Sequence, residues 1–202
     1  MKRFLITVLS LVIVLSSCQK GENDPVFSIK TRKARLTGIW ESQTAEWSSG
    51  DTTYVFDGTT LAVSDSNSSV NTAYGLTIEF LQSGEYIFTS LESFGSDYAD
   101  STLVDESCTT IESGLWNFTG GAGNTKTKSQ LLLIHQKQER TCSNQPANIN
   151  TITVSGQNEG FIYSIDRLSD KELTLKYNVE VVNSVGTSTK SGVFFFSKMS
   201  TQ

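Results

Sequence analysis

Leu173-Thr174-Leu175-Lys176-Tyr177-Asn178-Val179-Glu180-Val181 carries an apolar side chain at every odd position and a polar one at every even position. Successive side chains of a β-strand point to opposite faces, so this stretch is a strand with one face on a core and the other in water. Just upstream, Gly160-Phe161-Ile162-Tyr163-Ser164-Ile165-Asp166-Arg167-Leu168 reads as its partner, and Ser169-Asp170-Lys171 is short enough to be the hairpin loop. A second hairpin runs from Leu76 to Leu81, through Gln82-Ser83-Gly84, and back from Glu85 to Ser90. Further strands are expected over residues 37–47, 52–63, 111–119, 130–136, 150–154 and 185–199, where short or alternating apolar runs lie between Gly, Asn, Asp and Ser clusters. The polar stretches 65–71, 92–107, 120–129 and 139–148 are expected as loops. Helical periodicity is confined to residues 28–36. Strands at hairpin spacing, with no helices between them, form an all-β antiparallel sandwich or barrel.

The first residues belong to a different kind of segment. Lys2 and Arg3 precede an apolar run from Phe4 to Leu15. That run is shorter than the roughly 20 residues a transmembrane helix needs, and it has the flanks of a secretory signal peptide. It ends in Leu15-Ser16-Ser17-Cys18, which resembles the bacterial lipobox. The resemblance implies a signal peptide over residues 1–17, cleavage before Cys18, and lipidation of that cysteine, with acyl chains such as palmitate. Each buried CH₂ contributes about 0.8 kcal/mol, so two or three chains make a lasting anchor. Residues 18–29 begin with the polar Gln19-Lys20-Gly21-Glu22-Asn23-Asp24 and read as a tether. The folded domain is expected over residues 30–202. The expected location is the cell envelope, lipid-anchored at the outer membrane, with the periplasmic or surface face left open.

Charge and cysteine usage narrow the function. Losing Lys2 and Arg3 with the leader takes the formal net charge from −5 to −7. A chain this acidic is poorly matched to nucleic acid, where Lys and Arg contacts to phosphate dominate binding. The one basic cluster, Lys30, Arg32, Lys33 and Arg35, reads as the solvated face of the short helix. Cys108 and Cys142 remain after processing, and in an oxidising compartment they are expected to form a disulfide.

Neither a metal nor a cofactor is expected, because no Cys-x-x-Cys occurs and His135 is the sole histidine. Gly-x-Ser-x-Gly, His-Glu-x-x-His and Gly-x-x-x-x-Gly-Lys patterns are absent, so no catalytic residue is assigned and no enzyme is expected. His135 reads as a strand-end histidine with a satisfied ring. An enzyme would need converging titratable groups, for instance Glu79, Glu112 and Asp166 facing one another.

Leu36-Thr37-Gly38-Ile39-Trp40 looks like the opening of a lipocalin, a short helix followed by Gly-x-Trp. The order that follows is similar to lipocalin-like lipoproteins of the Bacteroidota type. It comprises Phe80 to Tyr86 as Phe-x-x-x-Gly-x-Tyr, a strand with Trp116, and Tyr163 to Leu175 as Tyr-x-Ile-x-x-Leu-Ser-x-x-x-Leu-x-Leu. The resemblance implies an antiparallel up-and-down β-barrel of about 8–10 strands, preceded by a short N-terminal helix. It also implies a barrel floor at Gly38 and Trp40 beneath a basic side chain, for which Lys198 is the nearest candidate. The strand aromatics Phe80, Tyr86, Phe88, Trp116, Phe118 and Tyr163 are candidates to line a pocket for a small apolar or amphipathic ligand. The competing expectation is a solid barrel that docks a protein or glycan through its loops.

Overall fold

The computed structural model describes residues 30–94, 106–121, 128–143, 150–153, 160–183 and 186–200. The expected signal peptide, Cys18 and the tether lie outside these residues. The described residues form one helix, α1 (Arg32–Leu36), and the strands β1 (Gly38–Ser49), β2 (Thr52–Phe56), β3 (Thr60–Ser64), β4 (Ser69–Phe80), β5 (Glu85–Phe94), β6 (Glu106–Thr119), β7 (Gln130–Cys142), β8 (Asn150–Thr153), β9 (Gly160–Leu168), β10 (Glu172–Asn183) and β11 (Gly186–Lys198).

Ten of these strands close into an antiparallel up-and-down barrel in the order β1-β2-β3-β4-β5-β6-β7-β9-β10-β11, with β11 returning to β1. The short β8 is added to β7 along Lys137–Arg140. The ring differs along its length. Gly38–Glu41 of β1 pair directly with Thr77–Phe80 of β4. Further along, β2 and β3 are inserted between them, β2 on Ala45–Ser49 and β3 on Ser69–Ala73. Eight strands therefore surround the α1 end and ten the other.

The opening stretch follows its alternation except at Thr174, which is buried, and Val179, which is 40% exposed. Leu173 and Leu175 of β10 are buried and Tyr177 is half-buried, while Lys176, Asn178 and Glu180 are exposed. The expected strand 52–63 is instead two strands. Asp57-Gly58-Thr59 interrupts it: Asp57 Oδ1 accepts from the Thr59 and Thr60 amides, and Gly58 adopts φ +103°. Asp65 Oδ1 likewise accepts from the Asn67 and Ser68 amides, so the expected loop 65–71 shrinks to a turn. β6 starts at Glu106 and β7 runs to Cys142, which turns parts of the expected loops 92–107 and 139–148 into paired strand.

The α1 end is solid. Leu36, Trp40, Phe80, Leu131, Leu168 and Leu173 are inaccessible to solvent there. Trp40 Nε1 donates to the Leu36 carbonyl at 2.6 Å. Lys198 Nζ lies 5.0 Å from the Trp40 ring centroid and donates to the Arg35 and Thr37 carbonyls. Gly38 sits where a side chain would meet Lys198, 2.8 Å from its Cε, at φ +122°.

The basic cluster divides: Lys30 and Lys33 are exposed, whereas the two arginines are not part of a solvated face. Arg35 is buried and donates to the Leu168 carbonyl at 2.6 Å. Arg32 is buried with its guanidinium over the Phe118 ring. The barrel floor exposes strand-end carbonyls and aromatic faces, and arginine can satisfy both while burying its aliphatic stem.

Candidate ligand-binding site

Above this floor the barrel interior opens into a cavity of about 300 Å³, at the lower end of the range for small-molecule pockets. Its walls combine Tyr86 and Phe88 from β5, Tyr163 from β9, Phe194 and Phe196 from β11, and Glu112 from β6. From β7, Leu133 adds to the apolar wall, and His135 and Gln138 complete the polar side.

One bulge arranges these polar groups. β6 and β7 pair Gly114 with His135 but Ser113 with Lys137, leaving Gln136 as an extra residue. A bulge reverses the facing of everything beyond it. His135 faces inward before it, and Gln138, Arg140 and Cys142 take the inward phase after it, while Lys137 points outside and pairs with Glu139. Gly114 is required at the bulge. A Cβ there would lie 2.0 Å from the Ile134 carbonyl oxygen and 2.9 Å from Tyr86 Cε1.

Glu112 and His135 thus meet across the wall, Oε2 to Nδ1 at 3.8 Å. Burial pushes the Glu112 carboxyl above its usual range, and the charge of His135 opposes that rise. Tyr86 is pushed up to about 12, first by burial and then by the Glu112 charge. Tyr163 is raised for the same reasons, with Tyr177 adding to them. Further along the interior, Arg140 binds Glu92 at 3.0 Å. Next to it Cys108 and Cys142 face each other as direct cross-strand partners and form a disulfide.

Of the residues singled out as ligand-lining candidates, Tyr86, Phe88 and Tyr163 line this cavity. Phe80, Trp116 and Phe118 do not. Phe80 and Trp116 pack edge to face in the floor, Trp116 Nε1 donates to the Leu81 carbonyl, and Phe118 lies against Trp116 and Arg32. Phe194 and Phe196, strand aromatics of the same kind, line it too, and Glu112, Gln138 and Phe161 join the site without having stood out as ligand-lining. His135 is no strand-end residue, since it sits within β7 beside the bulge.

The three carboxylates Glu79, Glu112 and Asp166 do not converge. Glu112 faces the interior, Glu79 lies between the buried Ile78 and Phe80 on the opposite face, and Asp166 pairs with the exposed Lys176 outside. Among the described residues, no three His, Cys, Asp or Glu side chains gather into a metal-binding group. No protein-family model, curated protein or solved structure matches the chain.

Proposed function

We propose that the protein is a lipid-anchored envelope protein whose lipocalin-like barrel holds a small amphipathic molecule in its interior. The cavity carries this reading. Protein interiors pack with few voids larger than a water molecule, yet here aromatic side chains from three strands surround about 300 Å³ of open space. The space is mostly apolar and has one polar side, at Glu112, His135 and Gln138. That arrangement suits a molecule with an apolar body and one polar group. The work done is binding, with a lipid on Cys18 supplying the address.

Native mass spectrometry of the protein purified from its own cells tests both halves. The expected species is residues 18–202 plus acyl chains, carrying a small molecule that is lost on denaturation. A chain beginning at Met1 or lacking acyl mass would remove the anchor. A bare chain under gentle conditions would favour the second reading, a barrel that docks a partner. That reading draws on Leu91, Ile111 and Leu115, which stand 40–48% exposed on β5 and β6.

A further inference from the structure

We infer that the cavity selects a cationic amphiphile, an amine or quaternary ammonium on a short apolar body, with Glu112 as its counter-charge. The inference rests on the ligand-holding reading above and adds the sign of the ligand's charge.

The lining residues decide that sign. They include one carboxylate, Glu112, and neither Lys nor Arg. The cations nearest in sequence are committed elsewhere: Arg140 to Glu92 at 3.0 Å, and Lys137 to Glu139 on the outer face. The side chains around Glu112 are His135 and Gln138 from β7, Tyr86 and Phe88 from β5, and Tyr163 from β9, while β10 and β11 contribute only Leu175, Phe194 and Phe196. Tyr74 of β4 also lies within its field. His135 alone among the lining groups can become positive.

An anionic head group would bring a second negative charge beside a half-buried carboxylate, with at most one imidazolium to offset it. A cationic head group meets the opposite situation. It finds a partly shielded carboxylate in a wall that carries the rings of Tyr86, Phe88, Phe161, Tyr163, Phe194 and Phe196. Ring faces are the negative part of the aromatic quadrupole, and cages of them hold ammonium groups. The acidic surface of the whole chain favours the approach of the same sign of ligand.

Isothermal titration of the purified protein with octyltrimethylammonium, octanol and octanoate at pH 7.5 tests this. The ammonium is expected to bind about tenfold more tightly than octanol, with octanoate weakest. Glu112→Gln is expected to bring the ammonium down to the octanol level and to leave octanol unchanged. Acid should weaken ammonium binding, because Glu112 takes up a proton. Should Glu112→Gln fail to fold, Gln138→Lys decides: position 138 stands directly opposite Glu112 across the β6–β7 pair, so a cation there should weaken the ammonium about tenfold and leave octanol within about twofold. Undiminished ammonium binding there, octanoate binding to the parent as well as the ammonium does, or an indifferent Glu112→Gln would overturn the assignment while octanol binding still upheld the cavity reading. Binding of none of the three would end both.

Discussion

Glu112 is the residue on which the interior chemistry turns, and it also sets a measurable stability trend. Its carboxyl is held above the ordinary value of 4.5 by burial. The folded chain therefore keeps that proton at a pH where the unfolded chain has released it. Stability from this group is fully present below the unfolded value and is lost as pH rises through the folded one. Urea unfolding from pH 4 to pH 7 should show a downward contribution that Glu112→Gln lacks, leaving the variant relatively more stable at neutral pH. An unchanged pH slope in the variant would mean that the carboxylate is fully solvated.

At the same scale, the sequence disclosed only part of the site. Tyr86, Phe88 and Tyr163 stand out as aromatics on recognisable strands. Glu112 shares the inward phase of Trp116 and Phe118 on β6 but its charge reads as exposure, and the facing of Gln138 depends on the bulge in β7. Arg32 and Arg35 mislead in the opposite way: charge reads as solvent exposure, yet the floor offers them a carbonyl and a ring.

At the scale of elements, β7 shows what alternation reveals and what it conceals. Residues 130–136 are readable as strand from their apolar residues alone. The remainder of the strand, to Cys142, is polar, and its inward set changes phase at Gln136. A bulge is a property of two paired strands and leaves no period in either one. The split at Asp57-Gly58 was readable, since Asp-Gly is a turn signal in its own right. The pairing of Cys108 with Cys142 was expected from compartment, but the reason they meet is the bulge. Were Gln136 paired in regular register instead of bulged, Thr141 would stand opposite Cys108 and Cys142 would point outside. The bridge spans a sequence separation of 34, and replacing both cysteines by serine should lower unfolding free energy by about 3–4 kcal/mol. Guanidinium titration in the absence of reductant measures it, and a loss below about 1 kcal/mol would show that β6–β7 pairing alone holds this end.

For the molecule as a whole, the barrel was legible as a class and its closure was not. Alternating strands and hairpin loops indicate antiparallel β-structure; only the pairing of β6 with β7 and of β11 with β1 shows that the sheet has no open seam around its floor. The two ends should respond differently to truncation. Trp40 is wholly buried beneath Lys198, so Trp40→Ala should cost about 3–5 kcal/mol of stability. Phe88 already borders open space, so Phe88→Ala should cost less and act mainly on ligand affinity. Paired thermal and binding measurements distinguish the two; equal losses of stability would show that the cavity wall is as much a keystone as the floor.

The change from eight strands to ten has a consequence for how such a chain can diversify. The narrow end, closed by β1 on β4 and plugged by α1, supplies the fold. The wide end takes in the inserted β2–β3 hairpin, and the room lies above the plug, walled by β4–β7 and β9–β11. Substitutions can then accumulate around the room without eroding the plug, so descendants of this sequence could exchange one guest for another while inheriting the same vessel.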